Sequence, residues 1–379
     1  MKKIWLSAPH MSGGELENIK QVFQENWIAP VGHQIDEFEN RLAAELDSEN
    51  SFQIAALNSG TAAIHLALKM LGVGKNDYVL CQTFSFVATV NPILYQGATP
   101  IFIDSEPETY NIDPALVRQA ILDANKKKQS IKAIIAVHSF GMPYNCNAIQ
   151  QISEEFKIPI IEDAAEALGS TYKNKRCGTF GDFGVFSFNG NKIITTSAGG
   201  ALVCKTKTEK EKAISLATQS GIPNFHFQHS EMGYNYRMSN VLAGIGLGQL
   251  EVLQQRVEQK IKIHKFYQKF FKDVKGVKLF TSPSSDYQSN YWLNVVEIDA
   301  EITGISNTDI QKKLAENNIE SRPVWKPLHT QCFLKEYQSY DKGIATAVFK
   351  KALCLPSGTN MIASDLERIK SVFLDIFSE

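Results

Sequence analysis

Apolar runs that alternate with helical patterns dominate the first two thirds of the chain. The segment SFQIAALNSGTAAIHLALKMLGVG predicts a short strand, a tight turn and a helix that ends at Gly72. The segment DYVLCQTFSFVATVNPILYQGATPIFID predicts strand, loop, helix and strand, and the runs KAIIAVHSFGMP and IPIIEDAAEALG are apolar strands followed by polar turns. Strands that alternate with helices indicate a largely parallel sheet covered on both faces, so we expect an α/β fold.

A helix is also predicted near the start of the chain. Ser12 and Glu15 have capping-box spacing. The apolar positions that follow recur on one helical face, at Leu16, Ile19, Val22 and Phe23. The proline and glycine of NWIAPVG are expected to end this helix.

The strand-helix alternation fades after the helical stretch VLAGIGLGQLEVLQQRVEQKIKIHKFYQKFF, which is predicted to link two domains. The remaining chain contains short strands such as YWLNVVEI and the amphipathic helices NTDIQKKLAENN and SDLERIKSVFLDIF. We therefore predict a large domain at residues 1–250 with a mostly parallel sheet, and a smaller α/β domain at residues 251–379. A single large α/β domain with appendages is the alternative.

Composition narrows the possible partners. The 379 residues carry a net charge of −1, which gives no electrostatic footprint for nucleic acid or an anionic membrane. The six cysteines form no CxxC pair, which argues against zinc ribbons and fits reduced thiols, so we expect no metal site. No apolar stretch approaches the roughly 20 residues of a membrane span, and IWL near the start is too short for a signal peptide. A cytoplasmic location is expected.

Polar residues follow each predicted strand and are expected to converge. Open parallel sheets bind ligands at the carboxyl ends of their strands. The residues expected at this rim are Asn58-Ser59-Gly60-Thr61, Phe84-Ser85-Phe86, His138, Glu162-Asp163 and Ser187.

Gly60 and Thr61 open a helix directly after a strand. Free backbone N–H groups and the helix dipole make such a position an anion site, while the plainer interpretation is a helix cap formed by Thr61. Because the chain contains no GxGxxG and no GxxxxGK[ST], dinucleotide and P-loop functions have no motif in their favour.

Lys192 and Asp163 form a chemically meaningful pair. Lys192 lies in a polar turn between two strand-like stretches, and Asp163 ends an apolar strand about thirty residues upstream. A pyridoxal phosphate enzyme needs an amine for the Schiff base and a carboxylate that keeps the pyridinium nitrogen protonated. Lys192 alone is one of many lysines, and Asp163 is otherwise a helix cap for AAEAL. The two together favour the cofactor.

Three further residues are candidates for cofactor contacts, and two of them, Phe86 and Glu166, also have an ordinary interpretation. Phe86 either stacks on an aromatic ring or belongs to the core. Glu166 either reaches a cofactor hydroxyl or is exposed, and Ser187 is close enough in sequence to donate to a phosphate.

Long ordered motifs across essentially the whole chain resemble one family. They include LSAPHMSGGE, LNSGTAAIHLAL, TFSFVAT, IIEDAAEALGS, GTFGDFGVFSFNGNKIITTSAGG, GYNYRMSN, ESRPVWKPLHTQ and LCLPSGT. The chain resembles the DegT/StrS sugar aminotransferases, which are pyridoxal phosphate enzymes. The resemblance implies the aspartate-aminotransferase-like fold (fold type I), with a three-layer α/β/α large domain and a smaller C-terminal domain.

The resemblance also implies roles for matching residues. Lys192 would form the Schiff base and shuttle the proton, and Asp163 would pair with the ring nitrogen. The remaining cofactor contacts would come from Phe86 on the ring, Glu166 near the ring hydroxyl, and Gly60, Thr61 and Ser187 on the phosphate. Asn235 would reach the phosphate from the other subunit of a homodimer with shared sites, and Arg237 would place its loop.

The sequence around Lys192 suggests a branch of the family. FNGNKIITTS, SAPHM, NWIAP and RPVWKPLHTQ resemble enzymes that use L-glutamate to aminate UDP-linked 4-keto-6-deoxy-N-acetylhexosamines on the route to N,N'-diacetylbacillosamine. Cations beside an aromatic suit a pyrophosphate and a sugar or uracil face, as in the segment holding Arg322, Trp325, Lys326 and His329. That segment is equally well explained as a domain-packing loop. His10, Asn26 and Trp27 are further candidates for the sugar pocket.

Three alternatives remain at this stage. A sister enzyme would act on another nucleotide sugar, such as a dTDP-linked or 3-keto sugar. A dehydratase of the same family is disfavoured, because those relatives have histidine in place of the Schiff-base lysine. A non-catalytic PLP-binding regulator is less favoured, since the chain has no helix-turn-helix pattern or basic extension.

Overall fold

The computed structural model describes residues 2–49, 51–222 and 226–378. The helices of these residues are α1 (Glu15–Gln24), α2 (His33–Leu46), α3 (Gly60–Met70), α4 (Asn91–Tyr95), α5 (Pro114–Lys126), α6 (Cys146–Phe156), α7 (Lys207–Ala217), α8 (Asn240–Leu250), α9 (Leu253–Phe271), α10 (Ala300–Thr303), α11 (Asn307–Glu316), α12 (Ile344–Lys351) and α13 (Ala363–Ser378). None of the described helices is long and apolar enough to cross a membrane.

The strands are short, and most belong to two sheets. They are β1 (Gln53–Leu57), β2 (Asp77–Gln82), β3 (Thr99–Ile103), β4 (Ser130–Val137), β5 (Ile160–Asp163), β6 (Thr171–Tyr172), β7 (Lys175–Arg176), β8 (Phe183–Ser187), β9 (Gly200–Cys204), β10 (Gly221–Ile222), β11 (Gln228–His229), β12 (Val277–Leu279), β13 (Tyr287–Gln288), β14 (Asn294–Ile298), β15 (Arg322–Pro323), β16 (Ser339–Tyr340) and β17 (Ala352–Leu355). The two main sheets have eight and four strands.

The eight-stranded sheet is the middle layer of the fold, with strand order β1-β9-β8-β5-β4-β2-β3-β16. Strand β9 is antiparallel to both of its neighbours, and the remaining pairs are parallel. On β2, Val79 faces a core shared with α3 and α7, and the next residue, Leu80, faces a core shared with α5 and α6. Helices therefore cover both faces of the sheet, and the predicted α/β fold is confirmed.

Strand register brings several predicted site residues to one edge. Leu57 of β1 and Ser187 of β8 both pair with Gly200 of β9. Asp163 of β5 pairs with Val137 on one side and Val185 on the other. Since β1, β8 and β5 run in the same direction, the residues after their carboxyl ends lie together.

The second sheet is antiparallel, with order β12-β14-β17-β15, and it packs against α9, α11 and α13. Ile4 forms a bridge with Ile319 beside this sheet. The predicted linking helix is interrupted, because α8 ends at Leu250 and α9 begins at Leu253. The division at residues 250 and 251 stays a prediction.

The predicted helix near the start of the chain is present as α1, but its apolar face is only partly buried. Val22 is fully buried, whereas Leu16 and Phe23 are 70% and 61% exposed. Helix α1 packs on α8 through a close approach at Gly248, where an added Cβ would lie 2.9 Å from the backbone nitrogen of Glu15. This contact covers the Val22 side of α1 and leaves the other apolar positions open.

Candidate active site

A cavity of about 310 Å³ lies at the carboxyl ends of β1, β5 and β8. Eleven residues predicted from the sequence line it, namely Asn58, Ser59, Gly60, Thr61, Ser85, Phe86, Asp163, Glu166, Ser187, Lys192 and Trp325. Residues from segments far apart in the chain therefore meet in one concave site.

Lys192 lies in the loop between β8 and β9, as predicted. Its side chain is 14% exposed, and Nζ is 3.6 Å from Oε1 of Glu166. The same Nζ is 4.3 Å from the ring centroid of Trp292. The amine is thus held in the cavity between a carboxylate and an indole face.

Asp163 is the last residue of β5 and is 5% exposed. Its Oδ2 accepts a hydrogen bond from Oγ1 of Thr89 at 2.8 Å, and Oδ1 accepts one from the backbone nitrogen of Ala165 at 3.2 Å. Burial raises the pKa of the Asp163 carboxyl, although these two bonds and the charge of Lys192 oppose the shift. A buried carboxylate of this kind is suited to a cationic ring nitrogen. No helix follows Asp163, so the helix-cap alternative is wrong.

Glu166 is buried, so the alternative in which its side chain is simply exposed is wrong. Its Oε2 accepts a hydrogen bond from the backbone nitrogen of Phe140 at 2.7 Å. Phe140 has φ of 57°, a left-handed conformation that non-glycine residues rarely adopt. Burial raises the pKa of the Glu166 carboxyl, and the Lys192 charge acts against that shift. Glu166 therefore links the strained turn at Phe140 to the amine.

The turn from β1 into α3 also lines the cavity. Ser59, not Thr61, caps the helix by accepting a hydrogen bond from the nitrogen of Ala62 at 3.1 Å. A Cβ on Gly60 would lie 3.1 Å from Cβ of Ser187, and one on Gly200 would lie 2.4 Å from the nitrogen of Gly60. The helix N-terminus is thus packed tightly against β8 and β9, which fits a phosphate bound by backbone N–H groups.

Phe86 is 52% exposed and faces the cavity, so the plain core alternative is wrong. Its ring centroid is 5.3 Å from that of Trp325. Trp325 also stacks on Phe140 at 5.9 Å and on Trp292 at 6.4 Å. These four rings form an aromatic wall beside Lys192.

His138 does not lie at the rim, and the expectation that it would is wrong. It is fully buried, and its Nε2 is 2.6 Å from Oε1 of Glu162. Glu162 also accepts hydrogen bonds from the backbone nitrogens of Gly178, Phe180 and Gly181. Adjacent strand residues point to opposite faces, so Asp163 faces the cavity while Glu162 organises the turn beneath it.

Asn235 lies near the cavity without lining it in a single chain. Its backbone oxygen accepts a hydrogen bond at 3.2 Å from Nδ2 of Asn58, a cavity residue. Arg237 is anchored by the carboxylate of Glu39 and the backbone oxygen of Ala56. This anchoring suits the loop-placing role predicted for Arg237.

Other predicted substrate residues lie outside the cavity. His329 contacts Oγ1 of Thr83 at 2.7 Å and Asp341 at 3.4 Å, as the packing-loop alternative expects. Nδ1 of His10 is 2.9 Å from Oγ1 of Thr359. The side chains of Asn26, Trp27 and Lys326 are exposed. Substrate roles for these five residues stay predictions.

A second cavity, of about 420 Å³, shares Asn191, Trp292 and Trp325 with the first. Arg322 lines it, and Nη2 of this arginine is 2.8 Å from Oε1 of Glu320. The sequence did not single out several residues that line the first cavity, among them Thr89 and Trp292. Thr89 lies inside the quoted motif TFSFVAT, but only the structure shows its bond to Asp163. Trp292 comes from the predicted second domain.

The fold and the site define an enzyme class in which a lysine, a buried carboxylate and a helix N-terminus surround one ligand, as pyridoxal phosphate requires. Residues 9–373 match the DegT/DnrJ/EryC1/StrS aminotransferase family. The chain therefore belongs to this family and is an aminotransferase. The predicted dependence on pyridoxal phosphate is confirmed at the level of the family.

Three similar proteins show how far the likeness extends. The putative pyridoxal phosphate-dependent aminotransferase EpsN of Bacillus subtilis (strain 168) is 47% identical over 99% of this chain and 96% of its own. GDP-perosamine synthase of Escherichia coli O157:H7 is 36% identical over 94% of each chain. The solved aminotransferase TlmJ from Streptoalloteichus hindustanus superposes with a TM-score of 0.90 at 27% identity, over 99% of both chains.

Proposed function

We propose that this enzyme transfers an amino group from L-glutamate to the 4-keto carbon of a UDP-linked 2-acetamido-2,6-dideoxy-4-ketohexose. The product is a UDP-4-amino sugar for bacterial glycan biosynthesis. The observation that carries the proposal is the Lys192 amine, which lies in one cavity with the buried carboxylates of Asp163 and Glu166. The N-terminus of α3 lines the same cavity.

Pyridoxal phosphate, when bound, supplies the electron sink that makes the proton next to the transferred nitrogen acidic. With the cofactor bound, Lys192 would move this proton between the substrate carbon and the cofactor carbon on either side of the transferred nitrogen, because its amine is the basic group held in the cavity beside Glu166. Asp163 would keep the ring nitrogen protonated, and Phe86 would contact the ring face. The phosphate would be held by Gly60 and Thr61 at the start of α3 and by Ser187 at the end of β8. The same residues serve both half-reactions, so ping-pong kinetics are expected.

The second cavity supports a binding place for the nucleotide sugar. It adjoins the cofactor cavity across Trp292 and Trp325. Arg322 offers guanidinium N–H groups suited to a pyrophosphate. The indole of Trp325 offers a flat apolar face to a sugar or a base. Binding energy from these remote groups would hold the keto carbon of the sugar beside the nitrogen that is transferred.

We further propose a homodimer in which Asn235 of one subunit reaches the cofactor phosphate of the other. The exposed apolar side chains of α1 and the following segment support such an interface: Leu16, Phe23, Trp27, Ile28 and Val31. The contact between Asn58 and the Asn235 loop places that loop at the cavity edge. A cytoplasmic location is proposed as well, since all six cysteines are free thiols.

A GDP-linked keto sugar is the second candidate substrate. The observation in its favour is the relative named GDP-perosamine synthase, at 36% identity over 94% of this chain. dTDP-linked and 3-keto sugars are further members of the same substrate class. Each alternative keeps the roles proposed for Lys192 and Asp163 and changes only the nucleotide-sugar contacts.

A panel assay separates these substrates. The holoenzyme is incubated with L-glutamate and each UDP-, GDP- or dTDP-linked keto sugar, 2-oxoglutarate is measured, and the configuration of the product amine is read by NMR. The proposal expects the UDP-linked 4-keto N-acetylhexosamine to have the highest kcat/KM. Preference for a GDP-linked sugar would overturn the substrate assignment alone. Failure of L-glutamate to convert the bound cofactor to its amine form would overturn the assignment of L-glutamate as the amino donor.

A further inference from the structure

Lys260 is a buried amine that the proposed mechanism does not use. It lies on α9 and is 2% exposed. Its Nζ donates to the backbone oxygen of Trp292 at 2.7 Å and to Oγ of Ser7 at 3.3 Å. No carboxylate pairs with it among residues 2–49, 51–222 and 226–378, and burial lowers the pKa of Lys260 to about 7. Burial of an amine that has no carboxylate partner is costly.

Residues on the neighbouring turns of α9 also form hydrogen bonds to segments that are distant in sequence. Arg256, four residues earlier, donates to the backbone oxygens of His10 and Met11. His264, four residues later, contacts Oδ1 of Asn294 at 2.8 Å. Lys260 lies between them, on the same helical face.

Both acceptors of Lys260 are joined to a single backbone carbonyl. Oγ of Ser7 donates to the backbone oxygen of Asn191 at 3.1 Å, and Nε1 of Trp292 donates to the same oxygen at 2.7 Å. The Ser7 hydroxyl has one proton, which Asn191 receives, so Ser7 must accept from Lys260. A neutral amine has the two N–H groups that Ser7 and Trp292 require.

Asn191 immediately precedes Lys192, whose amine lies over the Trp292 ring. The network therefore fixes the Lys192 loop and the ring that its amine contacts. We propose that Lys260 is a positioning residue for Lys192, and that it acts through Ser7, Trp292 and the Asn191 carbonyl. This inference rests on the catalytic role proposed for Lys192.

The test replaces Lys260 by methionine, which has similar length and cannot donate a hydrogen bond. Lys262→Met, an exposed site on the same helix, is the matched control. Displacing the Lys192 amine lowers kcat of the glutamate half-reaction by about tenfold to a hundredfold, the scale expected for a 1 Å misplacement. Equal kcat in Lys260→Met and the control would overturn the proposal.

A spectroscopic measurement separates positioning from general destabilisation. The visible absorbance of the lysine-bound cofactor changes with pH as the linked nitrogen loses its proton. A looser Trp292 stabilises the protonated nitrogen less. The midpoint of this change is therefore expected to fall by about half a pH unit in Lys260→Met, because the loss of one cation–π contact corresponds to a shift of that size. A lower melting temperature with an unmoved midpoint would indicate a purely structural role and contradict the inference.

Further variants keep the inference testable if Lys260→Met does not fold. Ser7→Ala and Trp292→Phe each remove one link to the Asn191 oxygen, and both should move the midpoint in the same direction. Adding Ser7→Ala to Trp292→Phe should have less than its full separate effect, because the two side chains act through one carbonyl. Fully independent effects would overturn the network. Lys192→Ala belongs to the same series, and wild-type turnover in that variant would refute the proposed function itself.

Discussion

Replacing Thr89 by valine tests whether the buried carboxylate of Asp163 serves the cofactor. Valine has nearly the shape of threonine but no hydroxyl. In the wild type, Oγ1 of Thr89 is 2.8 Å from Oδ2 of Asp163 and 2.6 Å from Oγ of Ser85. The single Thr89 proton is directed to the carboxylate, so Ser85 is the donor in the second bond. Thr89→Val removes one of the two hydrogen bonds received by Asp163.

The expected loss follows from the chemistry of this bond. A hydrogen bond to a charged group contributes about 1.5–3 kcal/mol when it is buried. Because the ring nitrogen needs an ionised Asp163, cofactor binding should weaken by about tenfold to a hundredfold. Loss of a bond to the ionised form also raises the pKa of Asp163 further. The acid limb of cofactor affinity therefore moves to higher pH.

The assay is titration of apo-protein with pyridoxal phosphate over a range of pH, followed by absorbance. Thr89→Ser is the control, since it keeps the hydroxyl and should bind close to the wild-type affinity. If Thr89→Val binds the cofactor as tightly as Thr89→Ser at every pH, Asp163 does not hold the ring nitrogen. A shift of the acid limb to lower pH would also refute the reasoning.

Three other changes test the proposed phosphate site at Gly60, the ion pair between Glu39 and Arg237, and the buried carboxyl of Asp163. Gly60→Ala places a Cβ 3.1 Å from Cβ of Ser187, so phosphate binding should weaken about tenfold from overpacking; Gly74→Ala, at an open site, is the control in the same titration. Glu39→Gln leaves buried Arg237 without its countercharge, which should lower the free energy of unfolding in urea by about 3–5 kcal/mol. The control is Glu37→Gln, which changes a half-exposed surface pair. Equal free energies of unfolding in the two variants would contradict this prediction. Asp163→Asn should raise the melting temperature of the apo-protein at pH 8 while weakening cofactor binding. The folded-state pKa of Asp163 lies above its unfolded value, so its contribution to stability falls as pH rises through that range, and an unchanged or lower melting temperature would be inconsistent with that sign.

Strand register explains why much of the site could be predicted from the sequence. Leu57 and Ser187 face the same residue of β9, so the polar residues after β1 and β8 must converge. Asp163 ends the neighbouring strand β5. Apolar runs followed by polar turns indicate these strand ends without any knowledge of side-chain contacts.

Other features depend on contacts between distant segments. Trp292 and Lys260 reach the Lys192 loop from the C-terminal third of the chain, and nothing in their local sequence indicates this. Glu162 and Asp163 are adjacent, yet Glu162 faces the interior and Asp163 faces the cavity. The sequence alone does not show which of two adjacent strand residues faces the cavity, because that depends on the register of the assembled sheet. Periodicity likewise indicates the apolar face of α1 but does not show that Val22 is buried while Phe23 is exposed.

The central claim is that Lys192 carries the cofactor, and one experiment tests it most directly. The holoenzyme is reduced with borohydride, digested, and the peptides are analysed by mass spectrometry for a pyridoxyl phosphate adduct. The account predicts the adduct on Lys192, and none in Lys192→Ala treated in the same way. An adduct on another lysine of the wild-type protein would contradict it.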